Sequence, residues 1–168
     1  MNPLVIVGGI LFVCFGFVVL RGAPYLPSHR KQVLRAFTEL YNLGKHDCVI
    51  DLGSGDGAVL QIASSLGAKA IGYEINPLLV LLTKLRFLGN NSVSVELKDY
   101  LLLDKLPSDV TVVYAFTTSR SIESIGKKVE QWSVHQDIHF ISYGFTLKDR
   151  NVDATAGPMN LYIFKRQA

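Results

Sequence analysis

The stretch Val49–Pro77, VIDLGSGDGAVLQIASSLGAKAIGYEINP, has the pattern of an apolar strand, a glycine-rich turn, a helix and a second strand. Asp51 ends the first strand, three glycines follow at positions 53, 55 and 57, and Glu74 ends the second strand. Glycines are needed where a ligand lies close against the backbone or where φ is positive. The next helix begins with N–H groups that have no intrahelical partner, and a carboxylate can accept two hydrogen bonds from a ribose diol. The stretch therefore predicts a site for a nucleoside-containing cofactor.

Two cofactors compete for this pattern. Gly53 to Ala58 satisfies the spacing G-x-G-x-x-G/A, and Glu74 follows about 20 residues later, as in dinucleotide-binding folds. However, Asp51 occupies a position where a dinucleotide site has an apolar residue, Asp56 adds a second carboxylate, and nothing basic in the stretch offsets either of them. Two negative groups repel a pyrophosphate but attract the ammonium and sulfonium of S-adenosylmethionine. We therefore expect S-adenosylmethionine and keep an NAD-type dinucleotide as the alternative.

Strands and helices alternate over the rest of the chain. Apolar runs predict strands at 48–52, 70–73, 93–97, 110–116 and 138–143, and helical patterns predict helices at 57–66, 78–88 and 121–132. Ser28 is placed to cap an earlier helix that reaches Leu43, with Gly44 ending it. The last alternating run, 160–165, predicts an antiparallel edge strand. This order indicates an α/β fold with a doubly wound, mostly parallel sheet.

The predicted topology brings separate stretches to one edge of the sheet, because ligands of open α/β sheets bind beyond the carboxyl ends of the strands. Asp99 and Tyr100 follow the third strand, so the carboxylate could accept from an adenine amine while the ring covers the base. No cluster of residues predicts a metal site. The candidate cofactor-binding residues are Asp51, Gly53, Ser54, Gly55, Asp56, Gly57, Glu74, Ile75, Asn76, Asp99 and Tyr100.

The run Leu4–Leu20, LVIVGGILFVCFGFVVL, contains no charged or strongly polar side chain. As a helix it is just long enough to span a hydrocarbon core of about 30 Å. A basic region before the run and a small-x-small cleavage site after it are both missing, so we expect an uncleaved single-pass anchor. The chain then divides into an anchor helix at 1–21, a linker and N-terminal helix at 22–46, and a cofactor-binding domain at 47–168.

Charge predicts the orientation of this anchor. Five basic residues and one acid lie between positions 21 and 45, whereas the N-terminal side of the run has no lysine or arginine. The positive-inside rule therefore places the larger domain on the cytoplasmic side of the membrane. The same basic cluster could rest on anionic headgroups. The formal net charge of the whole chain, +3, is too small to indicate a nucleic-acid partner.

Several of these motifs also resemble a known family. The pattern D-x-G-x-G-x-G at 51–57 resembles motif I of the seven-stranded class I methyltransferases, which use S-adenosylmethionine. APYLPSHRKQV at 23–33, together with VIDLGSGDG, GYEINPLLV and the Asp99 segment, resembles the small membrane-associated protein-lysine methyltransferases of the mitochondrial type. The resemblance covers roughly residues 20–145 and implies a lysine substrate on a membrane protein, either the ATP synthase c subunit or the adenine nucleotide translocase. The short chain without a targeting presequence leads us to expect a prokaryotic relative.

The residues after the fourth strand usually face the methyl acceptor in this fold. Here they read YAFTTS at 114–119, and the [DN]-P-P-[FYW] signature of enzymes that methylate base or glutamine amides is absent. We expect Tyr25, Phe116 and Thr117 to line the acceptor channel, with two ring faces toward an ammonium and one hydroxyl orienting the amine. A membrane-anchored methyltransferase of a lipid or quinone headgroup, or a non-catalytic sensor of the cofactor, remain alternatives.

Overall fold

The computed structural model describes residues 29–166, together with residues 2, 3, 5, 6, 8 and 9 near the N-terminus. Of the predicted anchor at 4–20, only four residues are described; all four are helical, and the side chains of Val5 and Ile6 are exposed. Most of the anchor and the linker at 22–28, with Tyr25 and Ser28, lie outside the described residues. Within the described part of the chain, no helix is long and apolar enough to cross a bilayer. The membrane helix therefore stays a prediction.

A seven-stranded sheet forms the centre of the domain, in the order β3-β2-β1-β4-β5-β7-β6. The first five strands in this order are parallel, and β7 pairs antiparallel with both β5 and β6. The prediction of an α/β fold with a mostly parallel sheet is confirmed. The strands are β1 (Cys48–Leu52), β2 (Lys69–Glu74), β3 (Val93–Leu97), β4 (Val112–Phe116), β5 (Ile138–Tyr143), β6 (Ala154–Ala156) and β7 (Met159–Phe164).

Helices cover both faces of the sheet. They are α1 (Arg30–Arg35), which continues as a π-helical turn (Ala36–Leu40), α2 (Ala58–Ser65), α3 (Pro77–Arg86) and α4 (Ile122–Ser133), with a short 3-10 helix at Tyr100–Leu102. Helix α3 begins sharply because the Oδ1 atom of Asn76 accepts from the N–H groups of Leu78 and Leu79, and Pro77 occupies the first helical position.

Each face of the sheet has its own apolar core. Val33, Phe37, Leu60 and Val80 from α1, the π turn, α2 and α3 pack on one face, together with Val49 and Tyr114 of the strands. On the other face, Ile125 and Trp132 of α4 pack against Ile50 and Phe140. Because side chains alternate along a strand, this division decides which residues at the carboxyl ends of the strands face the same side.

The terminal strand differs from its prediction as an edge strand. β7 lies between β5 and β6, and five of its six residues are buried. The edge is β6, which the sequence did not predict because three residues, Ala-Thr-Ala, are too short to show an alternating pattern. An interior position explains why the run at 159–164 is so apolar.

The end of the first predicted helix is also different. The π turn ends at Leu40, three residues before the predicted end at Leu43. Asn42 adopts a left-handed conformation with φ of 53°, and Gly44 has no positive φ. Asparagine is one of the few residues that enters this region at moderate cost, so it reverses the chain before the glycine does. At the start of this helix, the N-cap position is occupied by His29 and not by the predicted Ser28. The His29 side chain makes no capping hydrogen bond.

Candidate functional site

Asp51 lies in the central strand at the carboxyl edge of the sheet, in register with Gly72 of β2 and Tyr114 of β4. Its side chain is buried with 2% exposure, and no residue in the described part of the chain donates a hydrogen bond to its carboxylate. Burial raises the pKa of Asp51 to about 8, and the negative charges of Glu74 and Asp56 add to this effect. A buried, unpaired carboxylate is costly unless a cation approaches it.

The glycine loop directly follows Asp51. The N–H groups of Gly53 and Ser54 both donate to the carbonyl oxygen of Tyr73, at 2.8 and 3.1 Å, which anchors the loop to β2. Gly53, Gly55 and Gly57 all have positive φ, with values of 84°, 53° and 77°. A side chain at any of them would be strained, so the loop conformation depends on glycine.

Two of these glycines serve different purposes. A Cβ atom on Gly53 would meet nothing within 4 Å, so the backbone there is open toward the rim of the site. A Cβ atom on Gly57 would lie 2.7 Å from both Thr83 and Phe87 of the α3 region. Gly53 therefore leaves space for a ligand, whereas Gly57 allows α3 to pack against the loop.

The carboxylate of Glu74 is held by three backbone N–H groups. Its Oε2 atom accepts from Gly55, and its Oε1 atom accepts from Ile75 and Asn76, all at 2.9 Å. The residue is buried with 7% exposure. A carboxylate has about four lone-pair sites, so three hydrogen bonds leave acceptor capacity for a ligand hydroxyl. Glu74 thus links the glycine loop to the end of β2 and is oriented before any ligand binds.

The expectation that nothing basic offsets Asp56 is wrong. Arg86, at the end of α3, donates to the backbone oxygen of Asp56 at 2.8 Å and lies 3.4 Å from its carboxylate. The Asp56 Oδ1 atom also accepts from the N–H of Ala58, so this side chain stabilises the start of α2. Arg86 lies beyond the stretch that ends at Pro77, so the local pattern contains no sign of it. The acidic groups of the site that have no basic partner among the described residues are therefore Asp51 and Glu74.

Ser54 lies beneath the loop rather than on its open side. Its Oγ atom is buried without a hydrogen-bond partner among the described residues. A Cβ atom on Gly72 would lie 2.5 Å from that oxygen and 2.8 Å from Leu60. Gly72 in β2 therefore provides the space into which the loop descends, a packing role that the sequence pattern does not indicate.

Asp99 and Tyr100 follow β3 at the same edge of the sheet. Asp99 is exposed, and its Oδ1 atom accepts from the N–H of Leu101 at 2.9 Å, which starts the 3-10 helix. Tyr100 is half-buried against the core on the α4 side, and this burial raises the pKa of its hydroxyl. The second carboxylate oxygen of Asp99 remains available within the described structure.

Two aromatic rings line the opposite part of the rim. Phe116, which ends β4, is in register with Tyr143, which ends β5, and the ring centroids are 4.4 Å apart. Thr117 is buried directly after β4. Tyr143 was not among the predicted site residues, although it ends a correctly predicted strand. Inspection of every strand end for aromatic residues would have found it.

Helix α3 also contributes to the site in a way that spacing did not predict. The Oγ1 atom of Thr83 donates to the carbonyl oxygen of Gly55 at 2.9 Å, in a buried position. Together with the Arg86 contact to Asp56, this bond holds the outer side of the glycine loop. Both contacts join residues about 30 positions apart. No local sequence pattern signals them.

Comparison with curated proteins gives two groups of relatives. The lysine N-methyltransferase of the ATP synthase c subunit from Xenopus laevis is 38% identical over 63 residues, which are 38% of this chain and 27% of that protein. The adenine nucleotide translocase lysine N-methyltransferase of Mus musculus is 40% identical over 63 residues, 37% of this chain and 27% of that protein. This chain thus matches about a quarter of the length of these relatives, and no family model matches it. The resemblance stated from the motifs is confirmed over this segment.

Solved structures share the fold over a larger part of the chain. An RNA methyltransferase from Salinibacter ruber, in complex with S-adenosyl-L-homocysteine, superposes with a TM-score of 0.71 at 22% identity, covering 85% of this chain and 96% of that one. A geranyl diphosphate methyltransferase in complex with S-adenosylmethionine gives 0.55 at 17% identity, covering 67% and 48%. The chain therefore has the seven-stranded fold of class I S-adenosylmethionine-dependent methyltransferases.

Proposed function

We propose that this chain is an S-adenosylmethionine-dependent methyltransferase that acts on a lysine side chain of a membrane protein. The observation that carries the cofactor assignment is the buried carboxylate of Asp51, which has no described partner and lies directly before the open backbone of Gly53. A permanent positive charge beside this carboxylate would relieve the cost of its burial. S-adenosylmethionine carries such a charge on its sulfonium, and a second one on its ammonium.

The same two acids argue against a dinucleotide, because a cation favours the ionised form of Asp51 whereas a pyrophosphate opposes it. Asp51 and Glu74 are both buried at the rim, and no described basic side chain pairs with either of them. Arg86 offsets only Asp56, through a half-exposed contact of the kind that contributes little energy. A pyrophosphate would bring two further negative charges to this place, whereas a sulfonium brings a positive one. The pairing of Asp56 thus reduces the negative charge of the site without reversing its sign.

The remaining residues fit the other parts of this cofactor. Glu74 retains acceptor capacity for a ribose hydroxyl, and Ile75 follows it at the end of β2. The available oxygen of Asp99 can accept from an adenine amine, with Tyr100 beside it. The glycine loop is already held by Tyr73 and Thr83, so binding needs little rearrangement of the backbone. Preorganisation of this kind lowers the entropic cost of binding.

The cofactor, when bound, supplies a methyl group on a positively charged sulfur, and the neutral thioether that remains is a good leaving group. The protein then has to align the acceptor and exclude water, and alignment alone provides much of the acceleration. A lysine must lose its proton before it can attack, and an apolar channel favours the neutral amine by lowering its pKa. The rings of Phe116 and Tyr143 are suited to this channel, since they present apolar surface and π faces at the rim.

Support for a lysine substrate comes from the relatives, two groups of which are named for lysine methylation of the ATP synthase c subunit and of the adenine nucleotide translocase. The matched segment is about a quarter of those proteins, so their substrates are a proposal for this chain. The ATP synthase c subunit is the leading candidate. We further propose that residues 4–20 anchor the chain in the membrane with the catalytic domain on the cytoplasmic side, because the run is uncharged and basic residues follow it.

A labelled-methyl assay tests this function. Membranes from cells that lack the gene are incubated with purified full-length protein and S-adenosylmethionine labelled in the methyl group, and protein, lipid and RNA fractions are then counted separately. We expect label in lysine residues of a small membrane protein and none when Asp51→Asn replaces the wild type. Label in the lipid fraction alone would establish the lipid or quinone alternative. Binding of labelled cofactor without transfer to any fraction would indicate a sensor.

A further inference from the structure

Helix α3 exposes an apolar face that no described residue covers. Leu78, Leu81, Leu82 and Leu85 are between 37% and 58% exposed, although they follow the i, i+3, i+4, i+7 spacing of a face that is normally buried. Val80 and Thr83, on the opposite side of the same helix, are buried against the domain. We refer to the four leucines as the leucine face. Monomeric soluble domains rarely expose contiguous apolar surface of this kind without a partner.

The charges around the leucine face are positive. Lys84 and Arg86 lie on the same helix, one on each side of the leucine face, and α3 contains no acidic residue. Arg30 of α1 lies beside Arg86, because both guanidinium groups donate to the side-chain oxygen of Gln61. Glu96 pairs with Lys98, and Asp56 pairs with Arg86 and offsets its charge, so Lys84 and Arg30 are the cations near this face without an acidic partner among the described residues. An apolar stripe with cations at its borders is typical of a helix that lies in the interface of an anionic bilayer.

The path of the chain places this surface near a membrane. Residues 21–28 separate the apolar run from His29, and eight residues span at most about 28 Å. The chain enters α1 at Arg30, which is linked through Gln61 to Arg86 of α3. The leucine face therefore lies on a helix next to the point at which the anchor joins the domain. This step rests on the proposed anchor, whereas the exposure and the charges of the leucine face do not.

We propose that the leucine face of α3 inserts into the headgroup region of a bilayer that contains acidic lipids. The leucines enter the boundary between headgroups and acyl chains, while Lys84 remains at the phosphates. A second copy of the chain would also cover apolar surface, but it would bring the same positive charges against each other. The domain is thereby held against the membrane at two points, the anchor and α3.

Tryptophan fluorescence tests this contact in the full-length protein. The chain has one native tryptophan, Trp132, which is 1% exposed. Its emission should be the same in every variant, so a change in quenching reports on the tryptophan introduced by Leu82→Trp. The matched control is Lys127→Trp, an exposed position on α4 at the other side of the sheet. Each variant is reconstituted into vesicles of phosphatidylcholine with or without about 30% phosphatidylserine, with lipids brominated in the acyl chains as quenchers. Circular dichroism confirms that both variants fold.

We expect brominated lipid to quench Leu82→Trp at least twofold more than Lys127→Trp, with stronger quenching when phosphatidylserine is present. Adding Lys84→Glu to the reporter variant should reduce the quenching. If the protein stays on the vesicles but acrylamide in the water quenches both reporters equally and brominated lipid quenches neither, the proposal is overturned. The proposed anchor would be unaffected by that result. A Leu82→Trp reporter shielded from both quenchers would show that protein covers the leucine face, which also overturns it. Failure of the chain to remain with vesicles would overturn both the anchor and this contact.

Discussion

Replacement of Asp51 by asparagine should remove a loss of stability that accompanies rising pH. Most carboxylate substitutions instead remove a gain of stability with rising pH, because the pKa of a paired carboxylate is usually lowered by folding. The pKa of Asp51 in the folded protein is about 8, against an ordinary value of 3.8. Between these two values the folded state holds a proton that the unfolded state has lost. Without ligand, the wild type therefore loses stability as pH rises from about 4 to about 8, by up to roughly 1.4 kcal/mol per pH unit. The full difference is on the order of 6 kcal/mol.

Asparagine has no proton to lose, so Asp51→Asn should remove this slope. Urea unfolding of both proteins at pH 5, 6, 7 and 8 measures the difference, which should grow in favour of the variant as pH rises. Asp104→Asn, an exposed carboxylate beyond the 3-10 helix, is the matched control and should follow the wild type. Comparison of pairs at each pH cancels the titration of all other groups.

Binding of the cofactor should show the reverse dependence. A cation stabilises the ionised carboxylate, so binding below pH 8 releases a proton from the wild type. Calorimetry in two buffers of different ionisation enthalpy detects this proton, and the affinity of the wild type should rise by up to tenfold per pH unit between pH 5.5 and 7. Asp51→Asn should bind weakly and without proton release. Parallel stability curves for wild type and variant, together with equal affinities, would refute the assignment of Asp51 as the partner of a cation.

Further substitutions separate the parts of the site. Glu74→Ala should weaken cofactor binding by about 1–3 kcal/mol by calorimetry, since three N–H groups and a ligand hydroxyl lose their acceptor; an unchanged affinity would exclude Glu74 from the ribose site. Gly53→Ala should weaken cofactor binding and lower the free energy of unfolding by about 1 kcal/mol, because its φ is positive. Gly57→Ala should lower the free energy of unfolding by roughly 1–3 kcal/mol in urea, because the new Cβ contacts α3. Equal changes in binding and in stability for the two variants would contradict their different roles. Phe116→Ala should raise KM for the acceptor with little change in cofactor affinity, and a loss of cofactor affinity instead would place Phe116 elsewhere.

The parts of the fold that sequence predicted well are those encoded by local patterns. β1, β3 and β5 were predicted with the observed bounds because short runs rich in apolar residues, alternating with polar ones in β3, are followed by a polar residue or glycine. Asp51 and Glu74 were placed at one rim because parallel strands bring their carboxyl ends together. Backbone requirements of the loop could be read from the glycines themselves, which all have positive φ.

The missed features depend on residues that are distant in sequence. Arg86 pairs with Asp56 across 30 positions, and only the packing of α3 on the loop brings them together. β6 has three residues and exists because β7 offers an unpaired edge, so its own sequence contains little signal. Asn42 ends the first helical segment before Gly44 through a conformation that asparagine adopts less readily than glycine. In each case tertiary contacts override or replace a local preference.

The close approach of Ser54 to Gly72 has a consequence for how this protein can change over generations. Any side chain at position 72 would meet Ser54 and Leu60 at less than 3 Å, so the loop would have to rise from β2. Alanine at 54 would not make room, because the Cβ of residue 54 and the Leu60 side chain would still lie 2.7 and 2.8 Å away, so a mutation at 72 requires changes at both 54 and 60 and the three positions are epistatic. Gly72 lies two residues before Glu74 in the same strand. Sequence change in β2 is therefore restricted even at a position that contacts no ligand. The binding signature of this protein thus extends into β2, as a glycine that protects the shape of a loop in another part of the chain.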